Sequence, residues 1–161
     1  MNFDFSIKVN DLRNQLIQFM EEHVYPVEAD FLAEVARNRK EKDNPWLPTK
    51  VVEDLKPIAK DAGLWNLWQP KAHGGSLTNL EYAALSEIMG RTQWAPEVFN
   101  CSAPDTGNME TLLRYATEEQ QDKWLSPILE GKSRSAFLMT EPQVASSDAT
   151  NIECSICLLY T

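Results

Sequence analysis

Two capping boxes constrain this chain more than any other local feature. In Thr78-x-x-Glu81 and Thr117-x-x-Gln120, a hydroxyl residue can accept an N–H of the first helical turn. The side chain three residues on reaches back to the cap's own N–H. This reciprocal pattern belongs at helix N-termini. Apolar spacing supports it: Val9, Leu12, Leu16, Phe19 and Met20 recur at helical intervals, with Asn10 or Asp11 as possible caps. Pro26 is expected to break that helix, and the pattern resumes through Val27, Phe31, Leu32 and Val35. Thr49 is expected to cap a helix carrying Val51, Val52, Leu55, Ala59 and Ala62, closed by Gly63. Pro57 lies inside it, so a break or bend is expected near Lys56. Tyr82, Leu85, Ile88 and Met89 follow the first capping box, and Gly90 closes that run. Trp94, Val98 and Phe99 suit a short helix, and Asn108 to Tyr115 a further one.

From Ser133 the period shifts towards strand, through Phe137 to Met139 and then Ile152, Cys154 and Ile156 in alternation. The expectation is a mainly α chain with a short β stub at its C-terminal end. No repeats or low-complexity segments interrupt it. With 24 acidic and 15 basic residues, the net charge of −9 opposes general nucleic-acid affinity, which needs a basic face. No apolar run approaches the roughly 20 residues of a membrane span. The N-terminus shows no signal or transit peptide. Three cysteines, an odd number, point to a reducing compartment without a disulfide framework.

The stretch Ser135-Ala136-Phe137-Leu138-Met139-Thr140-Glu141-Pro142, running on to Ser146-Ser147-Asp148, carries the chemistry. A short apolar run opens into a proline turn, then into small residues that let a ligand approach. It resembles the flavin-binding segment of the acyl-CoA dehydrogenase family. Ala62-Gly63-Leu64-Trp65, then Pro70, then Gly74-Gly75 is similar to a passage between that family's early helices. Thr117 to Leu125 with Pro127, followed by Leu129-Glu130-Gly131, is similar to a later one. Pro104 to Glu110 looks closest to the large members numbered ten and eleven.

The resemblance implies the family's N-terminal helical domain over residues 1–132 and the opening of its middle β domain over 133–161. The tail from about 157 is atypical, as in a truncated isoform. It implies FAD as cofactor, with Phe137, Leu138, Met139, Thr140, Ser146 and Ser147 as cofactor-binding residues and Ser147 also touching substrate. For the intact enzyme it implies oxidation of an acyl-CoA to a trans-2-enoyl-CoA in fatty-acid metabolism. Electron-transfer flavoprotein or oxygen would be the acceptor, the assembly a homo-oligomer, and the location mitochondrial or peroxisomal. The family's catalytic base lies in a later domain, so none of the residues here is expected to be catalytic and the chain alone is expected to be inactive. The loop Gln143 to Asp148 departs from the family in lacking glycine.

Each candidate has an ordinary reading. Thr140 could be a plain strand-end threonine. Ser146 and Ser147 suit a pyrophosphate or a pantetheine arm equally with a solvent turn. Glu141 is read as a carboxylate that orients the loop. Cys154-x-x-Cys157 supplies half a zinc set with no histidine near, so chance accounts for it. His23 and His73 are isolated. The tryptophans are read mostly as core anchors, and Val98 to Leu113 includes residues suited to line an acyl tail or simply the core. The acidic run Glu28 to Asp61 is read as a solvated face. The rival function is a non-catalytic helical module that binds full-length subunits and perturbs their assembly.

Overall fold

A computed structural model describes residues 4–40, 43–144 and 148–155. Helix α1 (Ile7–Phe19) starts at Ser6, whose hydroxyl accepts the Val9 N–H at 3.3 Å. The cap lies upstream of Asn10 and Asp11, because Val9 must already be helical for its side chain to join Leu16 and Phe19 on the buried face. A π turn (Met20–Val24) and a 3-10 turn (Tyr25–Val27) then lead into α2 (Glu28–Asn38). Pro26 has no N–H and its ring would crowd a carbonyl four residues back, so the backbone first widens and then tightens around it. The same device recurs where α7 (Glu118–Gln120) passes through a π turn (Gln121–Leu125) into α8 (Ser126–Leu129) with Pro127 near its start.

Helix α3 (Lys50–Asp61) runs unbroken through Pro57, contrary to the sequence expectation. Interior proline costs on the order of 3 kcal/mol. Here Val52, Leu55, Lys56 and Ala59 on both sides of it are buried, which holds the two halves on one axis. Thr49 sits at the cap position but its hydroxyl takes no N–H. The Glu34 carboxylate, from α2, accepts the N–H groups of Lys50 at 2.8 Å and Val51 at 3.3 Å instead. A carboxylate also complements the positive end of the helix dipole better than a hydroxyl does.

The loop to α4 (Asn79–Met89) contains Gly75, where a Cβ would lie 1.6 Å from the Gln69 carbonyl oxygen, so only glycine fits. Both capping boxes form as expected. Thr78 lowers the Glu81 carboxyl from 4.5 to about 2 through its backbone N–H and then its hydroxyl. A depressed carboxylate contributes stability above its unfolded value and loses it as pH falls through the folded one. Glu81→Gln should therefore flatten the part of the acid unfolding curve between pH 4.5 and about 2. An unchanged curve, followed by far-UV dichroism, would remove the capping role.

Helix α1 packs on α4, α3 on α5 (Ala95–Val98), and α6 (Asp105–Tyr115) on the α7–α8 turn. Phe99 is fully buried where these meet, edge-on to Phe19 with ring centroids 5.1 Å apart. Beside it, Asn66 and Asn100 take left-handed backbone angles, φ 55 and 53. The Asn100 amide donates to Asn66 Oδ1 at 2.7 Å and to the Ile128 carbonyl at 2.9 Å. Asn66 and Trp65 both donate to the Leu129 carbonyl. Two loops and the end of α8 are thus joined by one amide pair, of which Asn100 is buried, and the short polar side chain of asparagine permits these angles.

Of the tryptophans, Trp68 and Trp94 are buried, Trp94 stacked on Phe31 at 4.6 Å, while Trp46 and Trp124 are exposed. No strand forms among the described residues; Pro70 and Leu77 make an isolated bridge. Phe137 to Met139 and Ile152 to Cys154 carry no strand, because a strand needs a neighbour for its N–H and C=O groups and none lies beside them. No described helix is long and apolar enough to cross a membrane.

Candidate functional site

The chain leaves α8 through Gly131, whose φ of 71 and contact with the Trp65 ring exclude a side chain. Arg134 is then fixed by charge. Its Nε donates to Glu97 Oε1 at 2.6 Å, and its Nη2 bonds Glu53. Lys56, only 6% exposed, joins the same group, 2.8 Å from Glu53 and 3.6 Å from Glu97. Burial raises the Glu53 carboxyl, but the hydrogen bonds from Lys56 and Arg134 outweigh it and hold the group below its ordinary value. Two carboxylates and two cations thereby join α3, α5 and the exit segment.

Ser135 is fixed next. Its N–H donates to Asp105 Oδ1 at 2.6 Å and its hydroxyl to the same oxygen at 2.5 Å. Asn108 donates to the Ser135 hydroxyl at 2.7 Å. Beyond it the Phe137 ring lies beside Gly107, with Cζ 3.7 Å from where a Cβ on that glycine would be. Phe137 is 58% and Leu138 97% exposed, and Thr140 is exposed as well. No backbone hydrogen bond among the described residues involves Ala136 to Thr140.

The next turn is closed by Glu141, whose carboxylate accepts the N–H groups of Glu153 at 2.9 Å and Cys154 at 2.8 Å. Asp148 accepts the N–H and hydroxyl of Thr150. Glu141 thus ties the turn at Pro142 to Glu153 and Cys154. Ser146 and Ser147 lie outside the described residues, as does Cys157. Cys154 is exposed and free, and no group of three or more metal-ligating side chains converges among the described residues.

Beside Gly107 an open cleft of about 270 Å³ is lined by Trp68, Asn79, Tyr82, Thr106, Gly107 and Glu110. The buried Cys101 thiol donates to the Phe99 carbonyl at 3.3 Å. Burial pushes the Tyr82 phenol well above its ordinary range and the thiol to about 11. Both stay neutral at physiological pH, so neither is an activated nucleophile.

The structure brings Phe137, Leu138, Met139 and Thr140 together on one exposed, unpaired stretch. Its unpaired peptide groups and exposed apolar side chains are open to a ligand. Asp105, Asn108 and the Glu53–Lys56–Glu97–Arg134 group escaped sequence reasoning. Lys56 left a signal, standing on the same helical face as Val52, Leu55 and Ala59. Asp105 and Arg134 left none, since their partners lie thirty or more residues away.

An all-helical domain that hands the chain to an unpaired stretch and a Thr-Glu-Pro turn defines the class. Residues 8–132 match the family model described as acyl-CoA dehydrogenase, N-terminal domain, and the chain belongs to the acyl-CoA dehydrogenase family. It is 56% identical to acyl-CoA dehydrogenase family member 10 of Mus musculus, over 92% of this chain and 14% of that protein. It is 49% identical to acyl-CoA dehydrogenase family member 11 of Homo sapiens, over 86% of this chain and 17% of that protein. A solved structure from Mycobacterium abscessus, attributed to an acyl-CoA dehydrogenase, aligns with a TM-score of 0.82 and 47% identity, covering 92% of this chain and 38% of that one. The chain therefore spans a minor part of the length of these relatives.

Proposed function

We propose that this chain supplies the N-terminal helical domain, residues 1–132, and the first flavin-contacting segment, within 133–161, of an FAD-dependent acyl-CoA dehydrogenase. The observation that carries the reading is the stretch Phe137 to Thr140, pinned at Ser135 yet free of backbone partners beyond it. FAD, when bound, supplies the hydride acceptor for oxidation of an acyl-CoA to a 2-enoyl-CoA in fatty-acid breakdown. The residues of this chain bind and orient. Main-chain groups of Phe137 to Met139, with the Thr140 hydroxyl and N–H as donors, would hold the flavin edge. Uncharged donors there would favour negative charge on the bound group. Ser146 and Ser147 serve phosphate or pantetheine oxygens, Ser147 on the substrate side. The cleft at Tyr82 and Gly107 would take the acyl tail. An electron-transfer flavoprotein or oxygen takes the electrons from the assembled homo-oligomer.

The test replaces the matching segment of a full-length relative with residues 1–155 of this chain. The hybrid should retain flavin and reduce a dye acceptor in the presence of acyl-CoA. Thr140→Ala within it should weaken flavin affinity roughly 3- to 10-fold, the worth of one hydrogen bond. A folded hybrid without flavin would sink the reading.

The exposed Phe137, Leu138 and Met139 also support a second reading, in which the chain alone associates with full-length subunits without catalysing anything. Co-purification with such subunits, with flavin content measured beside it, separates the two.

A further inference from the structure

Asp105 is a buried carboxylate outside the hydrophobic core. It is the first residue of α6, where a carboxylate ordinarily serves its own helix's free N–H groups. Here its Oδ1 is turned to Ser135, thirty residues on, and takes both the N–H and the hydroxyl. Asn108, one turn along α6, donates to the same hydroxyl. Ser135 is therefore held at two atoms by two side chains of one helix.

That helix is also a wall of the cleft, through Thr106, Gly107 and Glu110. Thr140 follows Ser135 by five residues, each spanning at most about 3.6 Å of extended chain. The origin of the stretch is thus set by α6, and Phe137 then rests on Gly107 of the same helix. A buried carboxylate is seldom a net source of stability. What it supplies here is a fixed direction and distance.

We propose that Asp105 is a positioning residue: with Asn108 it fixes Ser135 and so sets the register of Phe137 to Thr140 against the cleft. This rests on the reading of Phe137 to Thr140 as the flavin segment, but its test needs no flavin. The labelled 161-residue chain is studied by nuclear magnetic resonance. Asp105→Ala should speed exchange of the Ser135 amide by about tenfold to a hundredfold, the effect of losing a bond to a charged acceptor. It should also abolish the nuclear Overhauser contact between the Phe137 ring and the Gly107 Hα. Asp105→Asn keeps an acceptor oxygen, so it should retain that contact with a smaller change in exchange. The amides of Leu85 and Ile88 should be unaffected.

A Phe137–Gly107 contact that persists in Asp105→Ala would overturn the proposal. So would equal acceleration at Ser135, Leu85 and Ile88, the mark of a merely structural role. Should Asp105→Ala fail to fold, Asn108→Ala carries the test: it leaves the carboxylate in place, and unchanged exchange at Ser135 with an unchanged Phe137 contact would overturn the proposal. Because flavin is absent throughout, failure here is distinct from failure of the hybrid enzyme to hold flavin.

Discussion

Phe99→Ala is expected to lower the unfolding free energy by about 3 to 5 kcal/mol, the range for deleting a fully buried aromatic ring. Phe99 is 0% exposed and lies edge-on to Phe19, 5.1 Å between centroids. Its backbone is held too, since its carbonyl accepts the Asn66 N–H at 3.0 Å. With the backbone fixed by the Asn66–Asn100 pair, the neighbourhood cannot collapse into the void, so the cavity penalty adds to the lost transfer energy. At roughly 2 to 4 °C per kcal/mol for a chain of this size, the midpoint should fall by about 6 to 20 °C. Phe99→Leu keeps most of the volume and should cost much less. Leu138→Ala, at a side chain 97% exposed, should change stability by less than about 0.5 kcal/mol. Urea unfolding of the three variants gives the comparison. A Phe99→Ala change within 1 kcal/mol of the parent would show that the helices do not converge on this ring.

The second large effect concerns flavin. The 161-residue polypeptide, expressed by itself and desalted, is expected to emerge colourless. A cofactor of this size is normally held in a pocket that encloses most of its surface. Among the described residues the candidate segment is open: Leu138 stands almost wholly in solvent and Thr140 is exposed. Hydrogen bonds offered from one open edge compete with water and contribute little each. The same polypeptide should not reduce a dye acceptor with acyl-CoA and added FAD. The nearest described carboxylate, Glu141, is engaged by the Glu153 and Cys154 N–H groups and is unsuited to take a substrate proton. A missing general base alone typically costs 10²- to 10⁴-fold. A yellow preparation with near-stoichiometric flavin would show that the segment binds cofactor without further walls.

The helical character of this chain was legible because its determinants are local. Thr78 and Glu81, like Thr117 and Gln120, lie three residues apart, so their reciprocal caps form as written. Pro26 acts on the turn immediately before it and breaks the helix wherever the rest of the chain goes. The family-like stretches at Ala62 to Gly75, Thr117 to Gly131 and Ser135 to Asp148 identified the family for the same reason: each is contiguous.

Where packing intervenes, the sequence alone was insufficient. Pro57 remains inside α3 because the buried side chains around it hold the helix together. The cap of α3 is a carboxylate from α2, which displaced the local candidate Thr49 once the two helices met. Phe137 to Met139 form a short apolar run but no strand, since pairing requires a neighbour that local pattern cannot provide. Asp105 and Ser135, thirty residues apart, and Arg134 and Glu53, eighty-one apart, meet only in the folded domain. Local hydrogen bonding and periodicity act within a few residues and can be read from the chain. Contacts that aim the candidate flavin segment close large loops, and their partners are chosen only when the whole domain has packed.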